Sequence, residues 1–251
     1  MAKKALLIGI NYFSSKYELN GCINDVKSLK SKLELLKFDK INTLTDDKDY
    51  KPTKINILVE FRKLLEESND GDILFFSFSG HGSNTIDRNG DEEDGFDEML
   101  ITSDMNGILD GTINDYISTY LNNKKVTLFC LIDCCHSGSI MDLKYQYLDS
   151  NNYNKTIENK KINNVENSNI IMISGCKDNQ TSADACINKK YQGAMTWSFL
   201  RVLSIYPNLN LKNLVQNMRN ILRLSNYTQI PQLSSNKLID LERSYFFRCI
   251  D

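Results

Sequence analysis

The run Ile73-Leu74-Phe75-Phe76-Ser77-Phe78, followed at once by Ser79-Gly80-His81-Gly82, decides how this chain is read. An apolar run without polar alternation describes a strand covered on both faces. The glycines on either side of His81 let the backbone turn sharply where the strand ends. A second segment has the same design: Val126 to Ile132 is nearly all apolar and runs into Asp133-Cys134-Cys135-His136-Ser137-Gly138. Working outward, residues 5–10, 41–45 and 170–173 read as further strands, residues 98–101 as a short one, and Tyr245-Phe246-Phe247 as the last. Between them, Val26, Leu29, Leu33 and Leu36 recur at helical spacing from Asn24 to Lys37. Pro52 and Thr53 open a helix that runs to about Glu67, and helical patterns cover residues 112–122, 193–204 and 211–224. Strands alternating with helices predict an α/β fold with a mostly parallel sheet and helices on both faces. Such sheets carry their sites at the carboxyl ends of the strands. Both histidines of the chain, His81 and His136, fall there.

The rest of the composition narrows the class. At 251 residues, with 41% hydrophobic and 25% charged residues, the chain can bury a sizeable core and is neither disordered nor fibrous. Thirty basic against 32 acidic residues leave no global field for nucleic acid or an anionic membrane. No apolar run is long enough to span a bilayer, and the run after Met1-Ala2-Lys3-Lys4 is too short for a signal peptide. Seven cysteines, an odd number without a framework spacing, predict free thiols in a reducing, cytoplasmic setting. Two stretches lack regular pattern: the acidic loop 82–97, and residues 143–169, read as a flexible linker between a larger part, 1–142, and a smaller one, 170–251.

Cysteine hydrolysis needs a thiolate and a base that passes a proton to the leaving amine. His81 lies 54 residues before Cys135, which suits a caspase-like order. On these residues alone three readings of Cys135 stay open: a nucleophile, a small buried core residue, or part of a zinc site. Zinc is disfavoured because no Cys-x-x-Cys pair exists. Residues two apart on a strand share a side, which groups Asp133 with Cys135 and Ser79 with His81. An acid beside a thiol suits a cationic substrate side chain; the plainer alternative is a carboxylate capping a turn.

These segments, together with Gly9-Ile10-Asn11-Tyr12, Leu19-Asn20-Gly21-Cys22-Ile23-Asn24-Asp25, Gln180-Thr181-Ser182-Ala183-Asp184, Gln192-Gly193-Ala194-Met195-Thr196-Trp197 and Pro231-Gln232-Leu233-Ser234, resemble the metacaspases, caspase-fold cysteine peptidases. The resemblance covers nearly the whole chain. It implies a caspase-like three-layer sandwich and cleavage of protein or peptide substrates after Lys or Arg. It implies Cys135 as nucleophile, His81 as base, and the backbone amides of Gly82 and Cys135 as oxyanion donors. Asp25 and Asp133, with Ser79 and Cys22, match the pocket for the basic side chain. Calcium activation is common in the family, and the matching ligands are Asp97, Asn114, Asp115 and Asp142; Asn114 departs from the usual Asp. Asp87, Asn89, Asp91 and Glu98 fit part of a calcium-loop template, but Glu92 stands where it needs Gly and the flanks read as strands, so a helix–loop–helix site is rejected. Lys144, Lys155, Lys160 and Lys161 offer self-cleavage points. A monomer, and a catalytic domain without the N-terminal extension of many members, are expected. The alternative is a catalytically silent caspase-fold scaffold acting by protein binding.

Overall fold

A computed structural model of the chain describes residues 1–86, 95–134, 140–141, 143–147, 156–158, 165–175, 184–187, 190–206 and 209–242. Its centre is an eight-stranded sheet. Five parallel strands come first in the spatial order β2-β1-β3-β7-β10: β1 (Lys3–Gly9), β2 (Lys40–Thr45), β3 (Ile73–Ser79), β7 (Thr127–Asp133) and β10 (Asn169–Ser174). Antiparallel β13 (Gln232–Ser235), β8 (Tyr145–Tyr147) and β9 (Thr156–Glu158) complete it. β4 (Gly82–Ile86), β5 (Phe96–Ile101) and β6 (Gly107–Leu109) form a small antiparallel sheet, and β11 (Asp184–Ile187) with β12 (Lys190–Gly193) a hairpin.

The sandwich follows from the period of two along the buried strands. Leu6 and Ile8 of β1 pack on one side with Ile57 and Phe61 of α2 (Lys54–Glu66) and Ile113 and Ile117 of α3 (Asp110–Leu121). Ala5 and Leu7 pack on the other with Leu29 of α1 (Cys22–Leu35), Phe199 of α4 (Ala194–Ile205) and Leu214 of α5 (Leu211–Leu224). Helices therefore cover both faces of one mostly parallel sheet, as the apolar runs require. Phe75 sits within the second layer, stacked on Phe129 at 5.6 Å and edge-on to Phe38 at 6.3 Å. Thr53 caps α2 through its hydroxyl, which accepts from Asn56 N–H at 3.3 Å.

Two stretches differ from expectation. The acidic loop 82–97 begins as strand β4 and ends in β5, so both flanks are strands, as expected when the helix–loop–helix site was rejected. Within 143–169, read as a linker without regular structure, β8 joins the main sheet beside β13 and Tyr147 is buried. A three-residue strand is too short to show a period, and its buried tyrosine hydroxyl is satisfied by Ser235 Oγ at 3.2 Å, far along the chain. The expected tail strand at 245–247 lies outside the described residues.

Candidate active site

Gly9, Ser79 and Asp133 stand in register at the carboxyl ends of β1, β3 and β7. Gly9 lets α1 come close: a Cβ there would lie 2.5 Å from Cys22 O and 2.7 Å from Val26 Cγ2. The first turn of α1 is thereby held over the sheet edge, and Ser79 Oγ donates to Asp25 Oδ2 at 2.9 Å. The start of α4 arrives from the other side. Gly193 N–H donates to both oxygens of Asp25 at 3.0 Å, and Thr196 donates its N–H and its hydroxyl to Asp133 Oδ2, each at 2.9 Å. A Cβ on Gly193 would stand 2.8 Å from Asp25 Oδ2 and inside contact distance of Asp133 Oδ2. The two carboxylates thus meet at one point.

Asp25 and Asp133 are only 2% and 4% exposed. Two anions close together with little water repel each other and lose solvation. The amide and hydroxyl donors offset part of this, as does the positive end of α4. What remains is a strongly anionic spot, suited to a cation brought in by a ligand.

His81 lies two residues beyond the end of β3, half-buried. Its ring Nε2 is 2.8 Å from the carbonyl oxygen of Tyr17. A carbonyl can only accept, so Nε2 carries the hydrogen and the neutral ring keeps its lone pair on Nδ1. The same carbonyl steadies the ring when it becomes cationic. The His81 backbone is held as well: its N–H donates to the Tyr12 hydroxyl at 2.8 Å, and its carbonyl accepts from Ile101 N–H at 3.0 Å. Cys135 follows two residues after Asp133 and lies, like His136, outside the described residues.

A family model for the metacaspase peptidase C14 domain matches residues 3–144. The chain belongs to the metacaspase family. Metacaspase-1 of Kluyveromyces lactis is 37% identical over 291 positions, covering 95% of this chain and 67% of that protein. Metacaspase-1 of Meyerozyma guilliermondii is 34% identical, covering 95% and 70%. Among solved structures, the Drosophila initiator caspase Dronc superposes with a TM-score of 0.60 at 11% identity, covering 98% of this chain and 82% of that one. A protein from Geobacter sulfurreducens superposes with a TM-score of 0.72 at 23% identity over 98% of both chains. The caspase-like sandwich is therefore the fold, and the family is one of cysteine peptidases.

The remaining metacaspase positions are scattered. Cys22 opens α1 and is buried, one turn from Asp25 and outside any disulfide. Gly82 is the first residue of β4. Asp97 is half-buried on β5, while half-buried Asn114 and exposed Asp115 lie on α3. Glu98 N–H donates to Asp110 Oδ2 at 2.7 Å, which ties the start of α3 to β5 next to Asp97. Among the described residues no three His, Cys, Asp or Glu side chains gather as metal ligands, and Asp142 lies outside them. Lys144 pairs with Glu158 at 3.1 Å and lies over the Tyr145 ring; Lys155, Lys160 and Lys161 are not among the described residues. Sequence reasoning assigned no role to Gly193 and Thr196, although both stand in a motif run it singled out. It missed Tyr17 altogether, which acts through a backbone carbonyl that any residue supplies.

Proposed function

We propose that the chain is a cysteine endopeptidase that cuts after Lys or Arg, with Cys135 as nucleophile and His81 as base. The observation that carries this reading is the meeting of the Asp25 and Asp133 carboxylates at Gly193, on the sheet edge that also leads into His81. The anionic spot takes the ammonium or guanidinium of the residue before the cleaved bond, and it repels acidic side chains. Ser79 holds Asp25 in place, and in this reading Cys22, one turn before Asp25 on α1, is the rim residue. The Cys135 sulfur attacks the carbonyl carbon, and the oxygen's developing charge rests on the amides of Gly82 and Cys135. His81 Nδ1 takes the proton of the Cys135 thiol as the sulfur attacks and passes it to the amine that leaves as the C–N bond breaks. It then takes one from the water that hydrolyses the thioester, freeing the acid product and the thiol.

Calcium is the proposed activator. Asp97, Asn114, Asp115 and Asp142 supply only oxygen donors, the chemistry a hard divalent cation selects. Bound by these residues, calcium would supply positive charge to offset the carboxylates on β5 and α3. Self-processing fits an enzyme with Lys155, Lys160 and Lys161 in its connector; a cut after Lys144 requires its pair with Glu158 to open. Cys22, Cys130 and Cys134 form no disulfide, in keeping with a reducing, cytoplasmic setting, and no helix among the described residues is long and apolar enough to cross a membrane. A monomer is proposed.

The test is hydrolysis of matched fluorogenic peptides ending in Arg, Lys or Asp, with calcium and with chelator, beside Cys135→Ala. Cleavage after Arg and Lys only with calcium, absent in the variant, is the expected result. Cleavage after Asp alone would overturn the pocket. No cleavage by folded, calcium-loaded protein would favour the scaffold reading.

A further inference from the structure

Tyr12 stands at the centre of a closed hydrogen-bond circuit around His81 that nothing in the proposed chemistry uses. Its hydroxyl accepts from His81 N–H at 2.8 Å and donates to Ile101 O at 2.7 Å. Ile101 N–H returns to His81 O at 3.0 Å. The phenol ring lies against the imidazole, with centroids 4.7 Å apart and planes tilted by 42°. Backbone and ring of His81 are therefore gripped by one side chain and one strand end.

The chain invests in placing this phenol. Tyr12 is 4% exposed and has a left-handed φ of 53°, a conformation unfavourable for a bulky residue. Asp46 holds it there: one carboxylate oxygen accepts from Asn11 N–H at 2.9 Å and the other from Tyr12 N–H at 2.7 Å. Gly80 leaves room for the hydroxyl, because a Cβ at that position would lie 2.7 Å from it. Burial, with the charges of Cys22, Cys134 and Asp46 around it, pushes the Tyr12 hydroxyl far above its ordinary range, against the lowering effect of the His81 amide. It therefore stays a neutral donor and acceptor throughout the working pH range.

We infer that Tyr12 is a positioning residue for the reaction: its hydroxyl fixes the height of the His81-Gly82 backbone, and hence the imidazole and the Gly82 amide, relative to the end of β5. It touches neither substrate nor reacting atoms and moves no proton. A phenylalanine in its place keeps the ring but leaves His81 N–H without its acceptor and Ile101 O without this donor. An error of about 1 Å in the placement of a catalytic group costs on the order of 100-fold in rate.

This inference rests on the reading of His81 as the base, and the experiment separates the two. Tyr12→Phe is compared with wild type and with Ile57→Val, a core truncation among α2 contacts that gives a reference loss of stability. With an Arg peptide, kcat of Tyr12→Phe falls roughly 10- to 100-fold while KM stays within about twofold, because the pocket acids are untouched. In parallel, mass spectrometry follows iodoacetamide alkylation of Cys135 in wild type, Tyr12→Phe and His81→Ala, a readout that needs no substrate. The rate in Tyr12→Phe drops toward that of His81→Ala. Unchanged kcat together with wild-type alkylation would overturn the inference, and so would a kcat loss matched by Ile57→Val at equal stability. If wild type cleaves no peptide, the peptidase reading fails, and the alkylation series alone decides whether Tyr12 sets His81 against the thiol.

Discussion

Gly193→Ala tests the pocket by the smallest possible change. Gly193 has φ −65° and ψ 131°, values that any residue adopts, so the substitution carries no backbone strain. The whole effect is spatial. The new methyl would stand 2.8 Å from Asp25 Oδ2 and closer still to Asp133 Oδ2, and neither side chain is the free end of a flexible chain. Asp25 is held by Ser79 and the Gly193 amide, and Asp133 by Thr196. At least one carboxylate must therefore give up a bond to make room. Overpacking of this kind costs about 1–3 kcal/mol of stability. A displaced carboxylate also loses its charge-assisted contact with a bound cation, worth about 1.5–3 kcal/mol, which is roughly 10- to 100-fold in kcat/KM. Because the base and thiol are not touched, the loss falls mainly on KM. Urea unfolding and initial rates on an Arg peptide read the two numbers separately. A stable Gly193→Ala protein with wild-type KM for Arg would refute the claim that both acids serve the basic side chain at this point.

The remaining predictions concern the frame and the metal. Phe75→Ala should cost about 3–5 kcal/mol in urea unfolding, since the ring is fully buried against Phe129, Phe38 and Phe199. Asp72 is an acid-side reporter. Burial opposes its ionised form, but the amides of Ala2 and Asn69 and the ammonium of Lys4 outweigh that and hold its carboxyl below the ordinary range. A lowered folded-state value means that its stabilisation is fully present above the unfolded value of about 3.9 and is lost as pH falls through the folded one. Asp72→Asn should therefore cost about 2 kcal/mol near neutral pH in the same unfolding assay, and the cost should shrink as pH falls below the unfolded value. For calcium, Asn114→Asp should restore one negative ligand charge and tighten binding several-fold by calorimetry; an unchanged or weaker affinity would remove Asn114 from the ligand set.

How much of this was legible depends on where each residue's partners lie. The strands at 73–79 and 127–133 could be read because burial on both faces leaves an unbroken apolar run, whatever packs against it. β13 could not: Gln232, Ser234 and Ser235 are polar yet buried, and the strand is held by ladder bonds to β10 and β8 rather than by an apolar face. In the site, the placement of Ser79 and Asp133 at strand ends could be read because it needs only the apolar runs before them, whereas their register with each other depends on how the strands pair. Neither accounts for how two buried carboxylates are tolerated side by side. The answer is Gly193 and Thr196, which lie 168 residues from Asp25 and 63 from Asp133, respectively. Spacing arguments do not reach that far, and the Tyr17 carbonyl carries no sequence signal at any distance.

That long reach has a consequence for how the protein is built. The sheet-edge half of the pocket, Asp25, Ser79 and Asp133, comes from the chain before residue 142, together with His81. The donors that neutralise the acids come from the start of α4, beyond residue 170. The first part alone would hold the two carboxylates without the Gly193 and Thr196 bonds, leaving Asp25 its contact with Ser79 and the pair exposed to mutual repulsion. A cut anywhere between 143 and 169 therefore leaves activity intact only if α4 stays docked. What keeps it docked is packing that does not pass through the connector: Met195 and Phe199 of α4 in the same layer as Phe75 and Phe129, with Val215 and Met218 of α5 closing over them. The meeting of Asp25 and Asp133 with Gly193 and Thr196 is thus a property of the completed sandwich.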